Sequence, residues 1–212
     1  MVAQLRVYSA CYYLTELGGW RDTDYTAHDI VKIAKGEPFG GYFDFRVNRT
    51  IRRFDHASAN NFLPVLYEHM AKRCLEVIAA PCTLVPIPNS AATAADASTF
   101  RTLDLANGIA NAMGGDHNAQ GALRWYRQKL KAHENGLRDP AVHFRNLRIV
   151  DTPRNPVVLF DDVFTSGSQI TAAARKLTAA GHAPLCAFVI GTTTHDRRPN
   201  MVEWSEFTID IK

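Results

Sequence analysis

The sequence predicts an α/β protein, a parallel sheet flanked by helices with a small region of its own at the N-terminus. Three observations predict it. From Thr83 onward, apolar runs of strand length alternate with segments of helical period, which is the order of strand–helix–strand units. The runs Val157 to Phe160 and Leu185 to Ile190 are almost continuously apolar, as strands covered on both faces are. Two helical segments also end on glycine, at Gly114-Gly115 and at Gly181, where a left-handed residue closes a helix.

The elements follow in order. Thr26-Ala27-His28-Asp29 resembles a capping box with Asp in place of Glu, and Ala27, Ile30, Val31 and Ala34 continue at helical spacing. A short helix ending near Gly36 is expected. Tyr42 to Val47 alternates aromatic and polar residues as a strand does. Asn60 to Ala79 carries an apolar stripe from Phe62 to Ile78, with Pro64 tolerated in a first helical turn. Thr83 to Ile87 is the first buried strand, Ser98 to Met113 a helix, and Ile170 to Ala180 another, with Ile170, Ala173, Ala174 and Leu177 on one face. The stretch from Asp116 to Arg148 is polar, basic and weakly periodic, which marks a lid or an irregular loop. Residues 1–80 are expected to form the accessory region and residues 81–212 the core.

Composition narrows the classes. The chain has 212 residues, 46% hydrophobic and 21% charged, which suits one globular core with a small subdomain. A net charge of +3 does not by itself call for a nucleic-acid partner. Cys11, Cys74, Cys82 and Cys186 form no Cys-x-x-Cys pair, so neither a zinc site nor a disulfide framework is indicated. Reduced thiols, no apolar leader and no run of about 20 apolar residues lead to the expectation of a cytoplasmic protein without a membrane partner.

The most informative segment is Val157-Val158-Leu159-Phe160-Asp161-Asp162-Val163-Phe164-Thr165-Ser166-Gly167-Ser168. A buried strand runs into two carboxylates, then a hydroxyl-rich loop with one glycine, then a helix. The helix start offers unpaired N–H groups and partial positive charge to an anion. Gly167 allows close backbone approach, and the hydroxyls of Thr165, Ser166 and Ser168 can donate to phosphate. Asp161 and Asp162 can accept from vicinal sugar hydroxyls or help hold a divalent cation. Together these describe a ribose-5-phosphate site.

This pattern resembles the 5-phosphoribosyl-1-pyrophosphate (PRPP) signature of the type I phosphoribosyltransferases. The resemblance implies a Rossmann-like core with an N-terminal hood, and Mg²⁺ as cofactor. It implies that Asp161 and Asp162 contact the ribose hydroxyls and share the metal, and that Thr165, Ser166, Gly167 and Ser168 cradle the 5′-phosphate. Leu84-Val85-Pro86-Ile87-Pro88-Asn89-Ser90 then matches the pyrophosphate loop, with Pro88, Asn89 and Ser90 at the ligand. The basic stretch matches a closing loop, with Lys129 as a catalytic residue and Arg127 and Lys131 on pyrophosphate beside Arg124.

The order of segments is similar to the ComF/GntX-like branch, linked to competence, although the four-cysteine zinc module common there is absent. The implied activity is transfer of the phosphoribosyl group to a nitrogenous acceptor. The alternative is a regulator that binds PRPP or a nucleotide without transfer, or a ComF-like protein that binds single-stranded DNA. Arg46, Arg49, Arg52 and Arg53 interleave with Phe43, Phe45 and Phe54, a mix that can stack on and neutralise single-stranded nucleic acid. Tyr12, Tyr13, Trp20, Tyr25, Phe39 and Tyr42 are candidates to stack on an acceptor base in the hood. Homodimers are common in the family.

Overall fold

Continuous apolar runs can be buried only in the middle of a sheet, and that is where they lie. The computed structural model describes residues 4–15, 18–47, 49–96, 98–128, 139–153 and 156–211. In chain order the elements are β1 (Gln4–Leu14), α1 (Asp22–Lys35), β2 (Tyr42–Val47), β3 (Thr50–Asp55), α2 (Ala59–Val77), β4 (Thr83–Pro86) and α3 (Arg101–Met113). They continue with β5 (Asn118–Ala119), β6 (Leu123–Trp125), α4 (Pro140–Asn146), β7 (Leu147–Ile149), β8 (Val157–Phe164), α5 (Ser168–Ala179), β9 (Ala187–Thr194) and β10 (Ser205–Asp210). The main sheet has the order β10-β1-β9-β8-β4-β5. All its neighbours pair in parallel except β10, which closes the β1 edge antiparallel. The expected α/β architecture with a mostly parallel sheet is therefore what forms.

Helices cover both faces. Residues of α1, α2 and α3 share one apolar cluster with Tyr8, Leu84, Phe160 and Phe188. Residues of α5 share the other with Val7, Val85, Leu159 and Val189. Among the described residues no helix is long and apolar enough to cross a membrane.

The N-terminal region differs from its expectation. β1 was not anticipated, yet it lies within the sheet between β9 and β10. A boundary at residue 80 thus does not separate the sheet from an accessory unit. The strand is hidden in the sequence because its buried positions include Ser9 and Cys11 among larger residues. The Ser9 hydroxyl meets its own need by donating to Cys11 O at 2.8 Å. β10 was also missed. It alternates half-buried and exposed residues and carries charges, as edge strands do.

α1 begins four residues before the expected capping box. Its first turn is held by Arg21 and Asp24: the Arg21 backbone N–H donates to Asp24 Oδ2 at 2.8 Å and its guanidinium to Oδ1 at 2.9 Å. That bonding holds the buried Asp24 carboxyl below its ordinary range. The far end closes on Gly36 at φ 73°, as the sequence indicated. There Arg101 donates to the carbonyls of Ile33 and Ala34, both at 2.6 Å, so α3 caps α1. Pro64 sits within α2, beyond its first turn.

β2 and β3 form a hairpin whose Phe43, Phe45 and Phe54 rings meet Phe62 of α2 at 5.0 to 5.1 Å. The stretch 116–148 is not one irregular loop. It supplies β5, the small β6–β7 sheet and α4.

α2 and α3 approach closely at Gly108, where an added Cβ would lie 2.3 Å from the Tyr67 ring. Alanine normally gains about 1 kcal/mol over glycine in a helix. Here Gly108→Ala is expected to destabilise by up to about 2 kcal/mol net, because overpacking worth about 1–3 kcal/mol outweighs that gain. Urea unfolding checks it, and the same change in a Tyr67→Ala background should become neutral or stabilising.

Candidate functional site

The crossovers place the two motifs on one crevice. β4 leads into α3, which covers one face of the sheet, and β8 leads into α5, which covers the other. β4 and β8 are parallel neighbours, so the loops after them leave the same edge in opposite directions. In open α/β sheets such a switch point is where ligands bind. The sequence-predicted residues Pro88, Asn89 and Ser90 lie on one side of it, and Thr165, Ser166, Gly167 and Ser168 on the other.

The acid pair lies inside the β8 ladder rather than beyond it. On the β4 side pairing ends at Phe160, with Ile87 N–H donating to Phe160 O at 2.8 Å. On the β9 side it continues through Asp161 to Phe164. Asp161 and Asp162 therefore stand where β4 has diverged and β9 still supports the strand. The side-chain alternation shifts across them. Leu159 and Phe160 belong to opposite clusters, whereas Val163 packs with the cluster of Phe160 and Phe164 with that of Leu159. Each acid bonds the next backbone group: Asp161 Oδ1 accepts from Asp162 N at 2.9 Å, and Asp162 Oδ1 from Val163 N at 2.7 Å. Asp161 is buried and Asp162 half-buried.

The loop after β8 has the shape the glycine implies. Gly167 is the N-cap of α5 at φ 70°, ψ 0°, a left-handed conformation that other L-residues adopt at a cost. It also has no room for a side chain, because a Cβ there would lie 2.6 Å from the Phe164 ring. Thr165 and Ser166 are exposed and Ser168 is buried. The Ser166 hydroxyl donates to Ser168 Oγ at 3.1 Å. The arrangement can present hydroxyls and helix-start amides to an oxyanion.

The loop after β4 is clamped from behind. The indole Nε1–H of Trp125, which is fully buried, donates to both Pro88 O and Asn89 O at 2.9 Å. Asn89 turns the chain by accepting the Ala92 N–H on Oδ1 at 3.1 Å. Trp125 N–H also donates to Ala92 O at 3.0 Å, and Ala94 N–H to Trp125 O at 2.7 Å. Nothing in the sequence reading singled out Trp125. Its signal was an aromatic pair, Trp125-Tyr126, set between Arg124 and Arg127.

The basic candidates divide. Arg127 is exposed and follows Trp125 closely. Its backbone is pinned by Asn146, which accepts from Arg127 N at 3.0 Å and donates to Arg127 O at 2.9 Å. Lys129 and Lys131 lie outside the described residues. Arg124 does not stand free for pyrophosphate. It is 7% exposed, its guanidinium lies 4.4 Å from the Phe100 ring centre, and burial pulls its pKa down.

The arginines of the hairpin do not make one surface. The register pairs Phe45 with Arg52 and Asp44 with Arg53, so Arg52 and Arg53 project to opposite faces. Arg53 is bonded to Asp44 at 2.9 and 3.1 Å and lies 3.8 Å from the Tyr42 ring centre. The expected acceptor aromatics fall into groups, with Tyr25 and Tyr42 lining one cleft beside the hairpin. Tyr13 and Trp20 pack on His28, Trp20 on Tyr25, Phe39 on Phe43, and Tyr12 faces Arg198. A cleft of about 780 Å³ between the hairpin, the start of α1 and His69 includes no residue of the two motif loops.

No family model matches the chain, and no curated protein does. Among solved structures, the fold is similar to the UMP synthase of Leishmania donovani, with a TM-score of 0.35 and 14% identity over 82% of this chain and 31% of that one. The chain thus spans less than a third of that protein's length. It is also similar to the APRTase of Giardia lamblia complexed with 9-deazaadenine, with a TM-score of 0.37 and 10% identity over 84% of this chain and 100% of that one. Neither likeness is close enough to transfer the role of a residue.

Proposed function

We propose that the crevice between β4 and β8 binds PRPP and that the protein moves its 5-phosphoribosyl group to a nitrogenous acceptor, releasing pyrophosphate. The observation that carries this is the β8–α5 junction. An acid pair inside a supported strand is followed, after Val163 and Phe164, by exposed hydroxyls and a left-handed glycine with no room for a Cβ. A simple helix cap needs one hydroxyl and no acids.

In this reading the loop 165–168 holds the 5′-phosphate, and Asp161 and Asp162 accept from the ribose hydroxyls. Residues 88–90 offer backbone to pyrophosphate from a loop that Trp125 fixes. Arg127, Lys129 and Lys131 would cover the anion and exclude water. The bond from the anomeric carbon to the pyrophosphate oxygen breaks with its electrons leaving on pyrophosphate. The acceptor nitrogen supplies the new pair and loses a proton. Fixed acids near the sugar favour the positive charge that develops there.

Among the described residues no group of three or more His, Cys, Asp or Glu side chains forms a metal cage. The donor set instead fits Mg²⁺, which binds through one or two carboxylates plus substrate phosphates. When bound, Mg²⁺ would neutralise charge on the leaving pyrophosphate.

Calorimetric titration of PRPP with Mg²⁺ is expected to show saturable binding to the wild type. Asp162→Asn should weaken it by about tenfold or more, since a charge-assisted bond to the ligand is worth about 1.5–3 kcal/mol. No binding to the wild type would overturn the proposal. Pyrophosphate release that depends on an acceptor then separates a transferase from a regulator that only binds.

A further inference from the structure

The hairpin holds one strand edge open over a cleft. Among the described residues β2 pairs with β3 and with no other strand. Two residues separate Val47 from Thr50, and a loop of that length makes them the closing hydrogen-bonded pair. Bonded and non-bonded pairs then alternate along the ladder. Phe43 and Phe45 turn their backbone N–H and C=O groups to β3, whereas Tyr42, Asp44 and Arg46 turn theirs outward. The far edge of β3 obeys the same alternation. There Asp55 N–H donates to Ser58 Oγ at 2.8 Å, and Asp55 O accepts from Ser58 N at 3.2 Å, so that edge is partly closed. On β2 the outward groups meet no other backbone group among the described residues.

The cleft of about 780 Å³ runs along this open edge. All five residues from Tyr42 to Arg46 line it. Successive side chains of a strand point to opposite faces, so a hollow against one face would meet only every second residue. A hollow along the edge meets all five. Val202 and His69 stand among its other walls, with the His69 ring 5.6 Å from that of Phe45. Burial lowers the His69 pKa, which leaves this wall uncharged at neutral pH. Charge separates the remaining positions. Asp44 is already bonded to Arg53 at 2.9 and 3.1 Å. Asp22 lies in the first turn of α1, where a carboxylate offsets the helix dipole. Arg46 is exposed and has no carboxylate partner among the described residues.

We propose that the edge of β2 takes an extended peptide strand of a partner protein, acidic opposite Arg46 and apolar opposite Phe45 and Phe43. The added strand bonds the outward groups of Tyr42, Asp44 and Arg46. In strand addition the backbone supplies affinity and alternate side chains supply specificity. The acidic residue shares the outer face with Arg46, and the apolar residues enter the cleft on the side of Val202 and His69. No residue of the PRPP crevice takes part, so the inference goes beyond the function proposed above.

The probe is the blocked peptide Glu-Val-Thr-Val-Thr, titrated into isotope-labelled protein and followed by NMR. Binding should saturate and should slow hydrogen exchange at the N–H groups of Tyr42, Asp44 and Arg46. Those of Phe43 and Phe45, already on β3, should not change. Methylating the nitrogen of the central Thr, which faces Asp44, should abolish binding. Methylating that of the first Val, which faces away from β2, should not. Arg46→Glu should weaken the peptide by about fivefold or more and favour Lys-Val-Thr-Val-Thr, because like charges directly opposite repel. No saturable binding to the wild type would overturn the inference, as would equal binding of the two methylated peptides. Unchanged affinity in folded Arg46→Glu would remove the acidic position and overturn it too. Protection of the three N–H groups that rises with protein concentration and needs no peptide would give the edge to a second copy instead. PRPP titration of the same proteins keeps the two proposals apart. Peptide binding without PRPP binding would sink the function proposed above and leave this surface standing.

Discussion

Gly167→Ala should lower both stability and affinity for PRPP. An L-residue in the left-handed region costs roughly 1–2 kcal/mol. The added methyl would also lie 2.6 Å from the Phe164 ring, and overpacking of that kind costs about 1–3 kcal/mol. The combined loss is about 2–5 kcal/mol. At roughly 2–4 °C per kcal/mol for a chain of this size, the melting temperature should fall by about 4–20 °C. Affinity should fall further than stability indicates, because the same residue sets where the loop amides and hydroxyls point. Phe164→Leu in the Gly167→Ala chain separates the contributions: it should return the share due to the clash and leave the share due to φ. Thermal unfolding and PRPP titration of the single and double variants measure both. A Gly167→Ala protein that melts like wild type and binds PRPP as well would show that the loop does not hold the described shape.

The two motifs were legible because their physics is local. Consecutive residues carry the buried strand, the acids, the hydroxyls and the glycine, and the structure keeps them consecutive in space. Gly167 could be read as a backbone requirement from the helix start that follows it. What was not legible depends on residues far apart in the chain. β1 is central only because residues 187–194 lie on one side of it and 205–210 on the other, and Ser9 and Cys11 make it look half-polar in isolation. Arg101 sends its guanidinium to carbonyls at the end of α1, 67 and 68 residues earlier in the chain. The hairpin arginines looked like one cluster because neighbours in sequence count as one patch until strand alternation divides them.

Trp125 is the clearest case of a long-range dependence, and replacing it tests how the crevice is built. Trp125→Phe keeps an aromatic ring but removes the N–H that serves both Pro88 O and Asn89 O. Leaving the carbonyl of buried Pro88 unmet costs about 1–3 kcal/mol. The smaller ring adds a cavity worth roughly another 1–2 kcal/mol. The variant should therefore fold with about 2–5 kcal/mol less stability, which denaturant unfolding reports. Its effect on ligands should be selective. Pyrophosphate and PRPP use the loop at 88–90 and should bind about tenfold or more weakly, which corresponds to about 1.4 kcal/mol. Ribose 5-phosphate uses the acids and the loop at 165–168 and should bind as it does to the wild type. That asymmetry follows from the sheet, because β4 and β8 part at Phe160 and each loop is held by a different face. Equal loss for both ligands would mean that the two loops move as one unit and that the switch point is a single rigid site. No loss for either would remove residues 88–90 from the site, and the anion would then be held by the α5 start and the basic segment alone.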